Sequence, residues 1–123
     1  MYHKDLEREE THYGKVNIKV AWLDDGQPYD KGEVPSDFLD KLKKIEPRIY
    51  TKGWHTCPFC RGETSSTQFM IPVEGEDKTF YDVPEMIIHY IEVHNYLPPQ
   101  EFIDAVMNLE IERPRVTRSN RFK

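Results

Sequence analysis

At 123 residues the chain has the length of one domain, enough to bury roughly two-thirds of its unfolded surface around a modest core. Charged residues make up 32%, mean hydropathy is −0.76, and no run approaches the roughly 18 apolar residues a membrane helix needs, so a helical membrane anchor is excluded. Net charge is −5, yet the last eleven residues hold four arginines, one lysine and no acid, so the rest carries −10. An acidic body of that kind argues against a whole-domain nucleic-acid binder.

Residues 1–14 are polar and mixed in charge, and read as a frayed or briefly helical lead-in. They lack the apolar centre of a signal peptide, which points to the cytoplasm, where the two cysteines would stay reduced and open to a metal. From 15 to 23 the alternation of Val16, Ile18, Val20 and Trp22 with Lys15, Asn17 and Lys19 predicts a strand with one buried face, ended by Asp24-Asp25-Gly26. Pro28, Gly32 and Pro35 make 27–35 a loop. Ser36 then offers an N-cap, and Phe38, Leu39, Leu42 and Ile45 repeat at helical spacing until Pro47.

Arg48-Ile49-Tyr50 reads as a short strand leading into a loop that carries His55 and the cysteines. Residues 66–73 and 78–83 predict a hairpin around Glu74-Gly75-Glu76-Asp77, with Pro72 restricting one strand to an edge. Pro84 suits the first position of a helix whose apolar stripe is Met86, Ile87, Tyr90, Ile91 and Val93. A last helix starts near Pro99 and carries Phe102, Ile103, Val106 and Leu109 inward. These elements describe an α+β domain over 15–112, with a cysteine knuckle, a β-hairpin and about three helices. A disordered basic tail follows at 113–123.

The chemistry concentrates in one pattern, C-x2-C-x28-H-x4-H, formed by Cys57, Cys60, His89 and His94. Two thiolates and two imidazoles suit zinc, and four protein ligands leave no coordination position for substrate, so the site reads as structural. Three other readings stay open. Cys57 and Cys60 could be a redox dithiol, although Pro58 and the turn-like run after Cys60 do not continue into a helix. His55 could replace a helical histidine, because five helical positions set His89 and His94 about 140° apart and the last turn would have to loosen toward Asn95. Asp82, Glu85 and Glu92, near the ligands in sequence, would be the acids of a metal-dependent hydrolase.

The ligand order, knuckle then hairpin then helix, resembles zinc fingers of the Cys2His2 or treble-clef kind over about a third of the chain. The connection to His89 is too long for the finger that reads DNA bases. Trp54-His55-Thr56-Cys57-Pro58-Phe59-Cys60 and the segment from His89 to Pro99, with Trp22-Leu23 and Val34-Pro35 upstream, resemble a family of small uncharacterised bacterial proteins. That resemblance spans most of the chain. It implies a zinc-binding fold and carries no activity with it. The expectation is one structural zinc in a non-enzymatic module that engages a protein partner. The alternative is nucleic-acid binding through Arg113, Arg115, Arg118 and Arg121, helped by Lys52 and Arg61.

Overall fold

Alternation of apolar and polar residues builds a sheet whose two faces do different work. The computed structural model describes residues 2–11, 14–45 and 49–109, the side chains of 49–54 excepted. In chain order the elements are β1 (Arg8–Glu10), β2 (Val16–Lys19), α1 (Ser36–Lys44), β3 (Ile49–Thr56), β4 (Thr64–Pro72), β5 (Thr79–Pro84), α2 (Ile87–His94) and α3 (Gln100–Asn108). The five strands form one sheet in the order β1-β2-β5-β4-β3. The molecule is a small α+β domain, and none of its described helices is long and apolar enough to cross a membrane.

The expected hairpin is β4–β5, paired antiparallel from Gln68↔Pro84 to Pro72↔Phe80. Pro72 does not confine β4 to an edge, because it is the strand's last residue and lies beyond Gln68, where pairing with described β3 residues stops. Pro84 is likewise reassigned. It closes β5 opposite Gln68, a place its fixed φ and missing donor also allow, and α2 begins only at Ile87. The parallel pairing of β2 with β5, from Val16↔Thr79 to Lys19↔Asp82, joins segments far apart in sequence.

Ile18, Tyr81, Ile71, Phe69 and Val83 line the face covered by the helices, where Phe102 packs edge-on against Tyr81 at 5.4 Å and Phe38 against Phe102 at 6.1 Å. Phe38 and Leu42 of α1, and Phe102, Ile103 and Val106 of α3, are buried as their spacing predicts. Ser36 is the first helical residue of α1 rather than its cap. Pro35 takes the cap position, and no side chain bonds there. On α2, Met86, Ile87 and Tyr90 are buried, but Val93 is 59% exposed and leaves the stripe.

The polar lead-in is part of the fold. Arg8–Glu10 pairs with β2, and the Asp5 carboxylate accepts the Ala21 N–H at 3.0 Å and the Tyr96 hydroxyl at 2.8 Å. Tyr96 is fully buried, and Ala21 sits in the left-handed region at φ 67. Apolar periodicity misses such a segment because its contacts are hydrogen bonds. The expected basic tail lies outside the described residues.

The other face of the sheet buries charge. Lys19, 8% exposed, places its Nζ 2.7 Å from Asp82, 3.2 Å from Glu9 and 5.3 Å over the Trp22 ring. Asp82 also accepts from Gln68, and its backbone carbonyl accepts the Trp22 indole N–H at 2.8 Å. Removing one member of a buried ion pair strands the other. Lys19→Met is therefore expected to cost about 3–5 kcal/mol in urea unfolding. Lys19→Met with Asp82→Leu should recover much of that loss, since no unpaired charge remains.

Candidate metal centre

The site is made where the β3–β4 connection meets the end of α2. β3 runs through Thr56, and the chain then folds back so that the Cys57 N–H donates to the Glu63 carbonyl at 2.9 Å and the Arg61 N–H to the Cys57 carbonyl at 3.0 Å. Arg61 takes a positive φ of 55, which turns the following Gly62 N–H onto the Cys60 sulfur at 3.3 Å. Phe59, between the cysteines, anchors this knuckle. Its ring lies 5.2 Å from Tyr29, 5.9 Å from Tyr90 and 5.2 Å from His94.

Opposite the knuckle, α2 supplies both histidines and remains α-helical through His94. The loosening expected of its last turn is confined to Asn95, which takes the left-handed conformation at φ 59 and ψ 29. The N–H groups of Asn95 and Tyr96 both reach the Tyr90 carbonyl, and the Tyr29 hydroxyl donates to the His94 carbonyl at 2.9 Å. The imidazoles converge to 5.0 Å between ring centroids. Burial, and next the neighbouring His89, push the His94 pKa down, which favours the neutral imidazole a metal requires.

Cys57, Cys60, His89 and His94 thus each offer a ligand atom, and all four atoms lie within 4.8 Å of one another. Cys57 Sγ is 3.3 Å from His94 Nε2, and Cys60 Sγ is 3.4 Å from His89 Nε2. Metal–sulfur bonds of about 2.3 Å and metal–nitrogen bonds of about 2.0–2.1 Å in a tetrahedron put sulfur and nitrogen about 3.5 Å apart. The spacing therefore matches one ion held at the centre of the four.

His55 is not in this cluster. It lies in β3 rather than in a loop, opposite Ser65, with its ring edge-on to Trp22 at 5.1 Å. Arg113, Arg115, Arg118 and Arg121 lie outside the described residues, as does the side chain of Lys52, while Arg61 is exposed on the knuckle. The three acids near the ligands in sequence have other partners: Asp82 holds Lys19, Glu85 accepts from the Ser65 and Thr67 hydroxyls at 2.7 Å each, and Glu92 pairs with Lys43 at 2.6 Å. Glu85 and Glu92 also line a cleft of about 370 Å³ beside His89.

Loss of even an outer partner of a metal ligand costs about 10–100-fold in affinity, so His94→Ala or Cys57→Ser should weaken metal retention by at least about a hundredfold. His55→Ala should change it little. A chelator competition across the three variants measures the order, and greater loss in His55→Ala would overturn the ligand set.

The chain matches no curated protein and no solved structure in the comparisons made. One protein family, described as "Domain of unknown function (DUF7919)", matches residues 1–107, a span that takes in the N-terminal strand, the knuckle, α1, α2 and all but the last residue of α3. The protein belongs to the DUF7919 family.

Proposed function

We propose that this protein is a zinc-stabilised, non-enzymatic interaction module of the cytoplasm, with one structural zinc held by Cys57, Cys60, His89 and His94. The observation that carries the reading is the convergence of two sulfurs and two imidazole nitrogens within 4.8 Å. Sulfur and nitrogen donors in equal number suit zinc, and the ligand order is that of zinc fingers. With all four tetrahedral positions taken by side chains, zinc supplies folding free energy rather than a Lewis-acid site. Structural zinc contributes about 10–16 kcal/mol in small fingers, against a net stability of about 5–15 kcal/mol for a whole domain.

The module's working surface is the knuckle and the outer side of α2, which zinc holds in fixed relation. The acids that a hydrolase would use are engaged by Lys19, by two hydroxyls and by Lys43. A protein partner is the reading preferred here. Binding to nucleic acid through the arginines of 113–121 is the competing one, and it requires an affinity that falls steeply with salt and vanishes on truncation after Glu112.

Elemental analysis of purified protein should find one zinc per chain, and cobalt substitution should give the visible bands of a tetrahedral site with two thiolates. Zinc removal by a chelator should abolish the cooperative thermal transition of the knuckle and α2. Absence of stoichiometric metal would overturn the proposal.

A further inference from the structure

The two sulfurs of the candidate centre differ in how solvent reaches them. Cys57 is fully buried, whereas Cys60 is exposed on the knuckle. Gly62 faces the Cys60 sulfur, with its N–H donating to Sγ at 3.3 Å and no side chain to cover it. A Cβ at Gly62 would stand 3.5 Å from that sulfur, in ordinary van der Waals contact. Glycine at this position therefore leaves one approach to Cys60 open. Exposure matters because a zinc-bound cysteine is a thiolate, the form that small oxidants attack, while an enclosed structural sulfur is inert.

The buried sulfur completes a pair. Cys57 and Cys60 sit in one turn, closed by the Arg61 N–H on the Cys57 carbonyl at 3.0 Å, and their Sγ atoms lie within 4.8 Å of each other. A disulfide sets two sulfurs about 2.05 Å apart, so at most about 2.8 Å has to close, within the reach of side-chain rotation. That bond would take both sulfurs from a donor set of four, and the two imidazoles left over both belong to α2. The knuckle would keep the packing of Phe59 on Tyr90 and His94 but lose the junction that fixes it to the helix.

We propose that the centre is a peroxide-sensitive switch: Cys60 is the sulfur attacked, Cys57 resolves it, and disulfide formation releases the ion and frees the knuckle from α2. This deepens the zinc reading and rests on it. In the first step the Cys60 sulfur takes one oxygen of hydrogen peroxide, the O–O bond breaks, and the departing hydroxide is protonated from solvent. The Cys57 thiolate then attacks the sulfur of the Cys60 sulfenic acid, the S–O bond breaks, and a second hydroxide leaves to be protonated in turn. Two thiolates have given two electrons, one peroxide has become two waters, and zinc is set free as the dication.

The full zinc-loaded chain treated with hydrogen peroxide should release its zinc to a colorimetric chelator as one intramolecular disulfide forms, read by mass spectrometry as the loss of two hydrogens per chain. Removal of the peroxide, then dithiothreitol and fresh zinc, should restore the metal content. Gly62→Ala keeps the N–H and all four ligands, so its zinc content should match that of the parent chain while its release is several-fold slower. Limited alkylation of the parent chain makes the same comparison without a substitution: iodoacetamide should reach Cys60 before Cys57. Release accompanied by sulfinic or sulfonic acid in place of the disulfide, an unchanged rate in Gly62→Ala, or alkylation of Cys57 first would overturn the proposal. A purified chain without stoichiometric metal defeats the zinc reading and this one with it, whereas stoichiometric zinc that peroxide does not release defeats this one alone.

Discussion

At the end of α2 a single residue in the left-handed region reverses the chain, and most of the long-range organisation hangs on that reversal. Asn95 ends the helix directly after His94, so the histidine keeps a helical backbone while the next residue turns inward. Tyr96 is thereby fully buried, and its hydroxyl reaches Asp5 at the opposite end of the chain. The loop before α1 is pinned to the same place, since Gly32 donates to the Asn95 carbonyl at 3.1 Å and Leu97 to the Asp30 carbonyl at 2.9 Å. Asparagine tolerates this conformation far better than a branched residue would, because its side chain bonds locally and carries no second γ carbon.

The junction also explains why the candidate centre sits at the margin of the core. Apolar packing is concentrated where α1 and α3 cover the sheet, around Phe38, Phe102, Tyr81 and Val106. The knuckle has little of its own to bury: Cys57 is enclosed and Phe59 packs on α2, but Cys60, Arg61, Gly62 and Glu63 are exposed. A loop of that composition has a poor hydrophobic return for the backbone entropy it gives up. Four donors aimed at one point provide the missing free energy under the zinc proposal, and they do so where the loop must be fixed against the helix.

On the other side of the sheet charge is held in a buried network. Lys19, Asp82, Gln68 and Trp22 form a buried network in which each polar group meets a partner, apart from the Asn17 Oδ1 nearby in β2. Such a network specifies register, because the parallel pairing of Lys19 with Asp82 is the one that brings ammonium and carboxylate together.

Local patterning by itself determined the α+β class, the amphipathic faces of α1 and α3, the hairpin of β4 and β5 and the identity of the four candidate ligands. Each of these is written in short-range spacing: a period of two, a period near 3.6, or cysteines three positions apart. The tertiary structure decided what spacing does not encode. Residues 1–14 contain no apolar period, and only the bonds from Asp5 to Ala21 and Tyr96 and the pairing of Arg8–Glu10 reveal that they belong to the sheet. Pro84 satisfies both a helix start and a strand end, and pairing with Gln68 selected the strand. His55 and His94 are the same side chain at two places 39 positions apart in the sequence. The fold alone placed one against Trp22 and the other against Cys57, because ligand choice depends on where two distant segments meet in space.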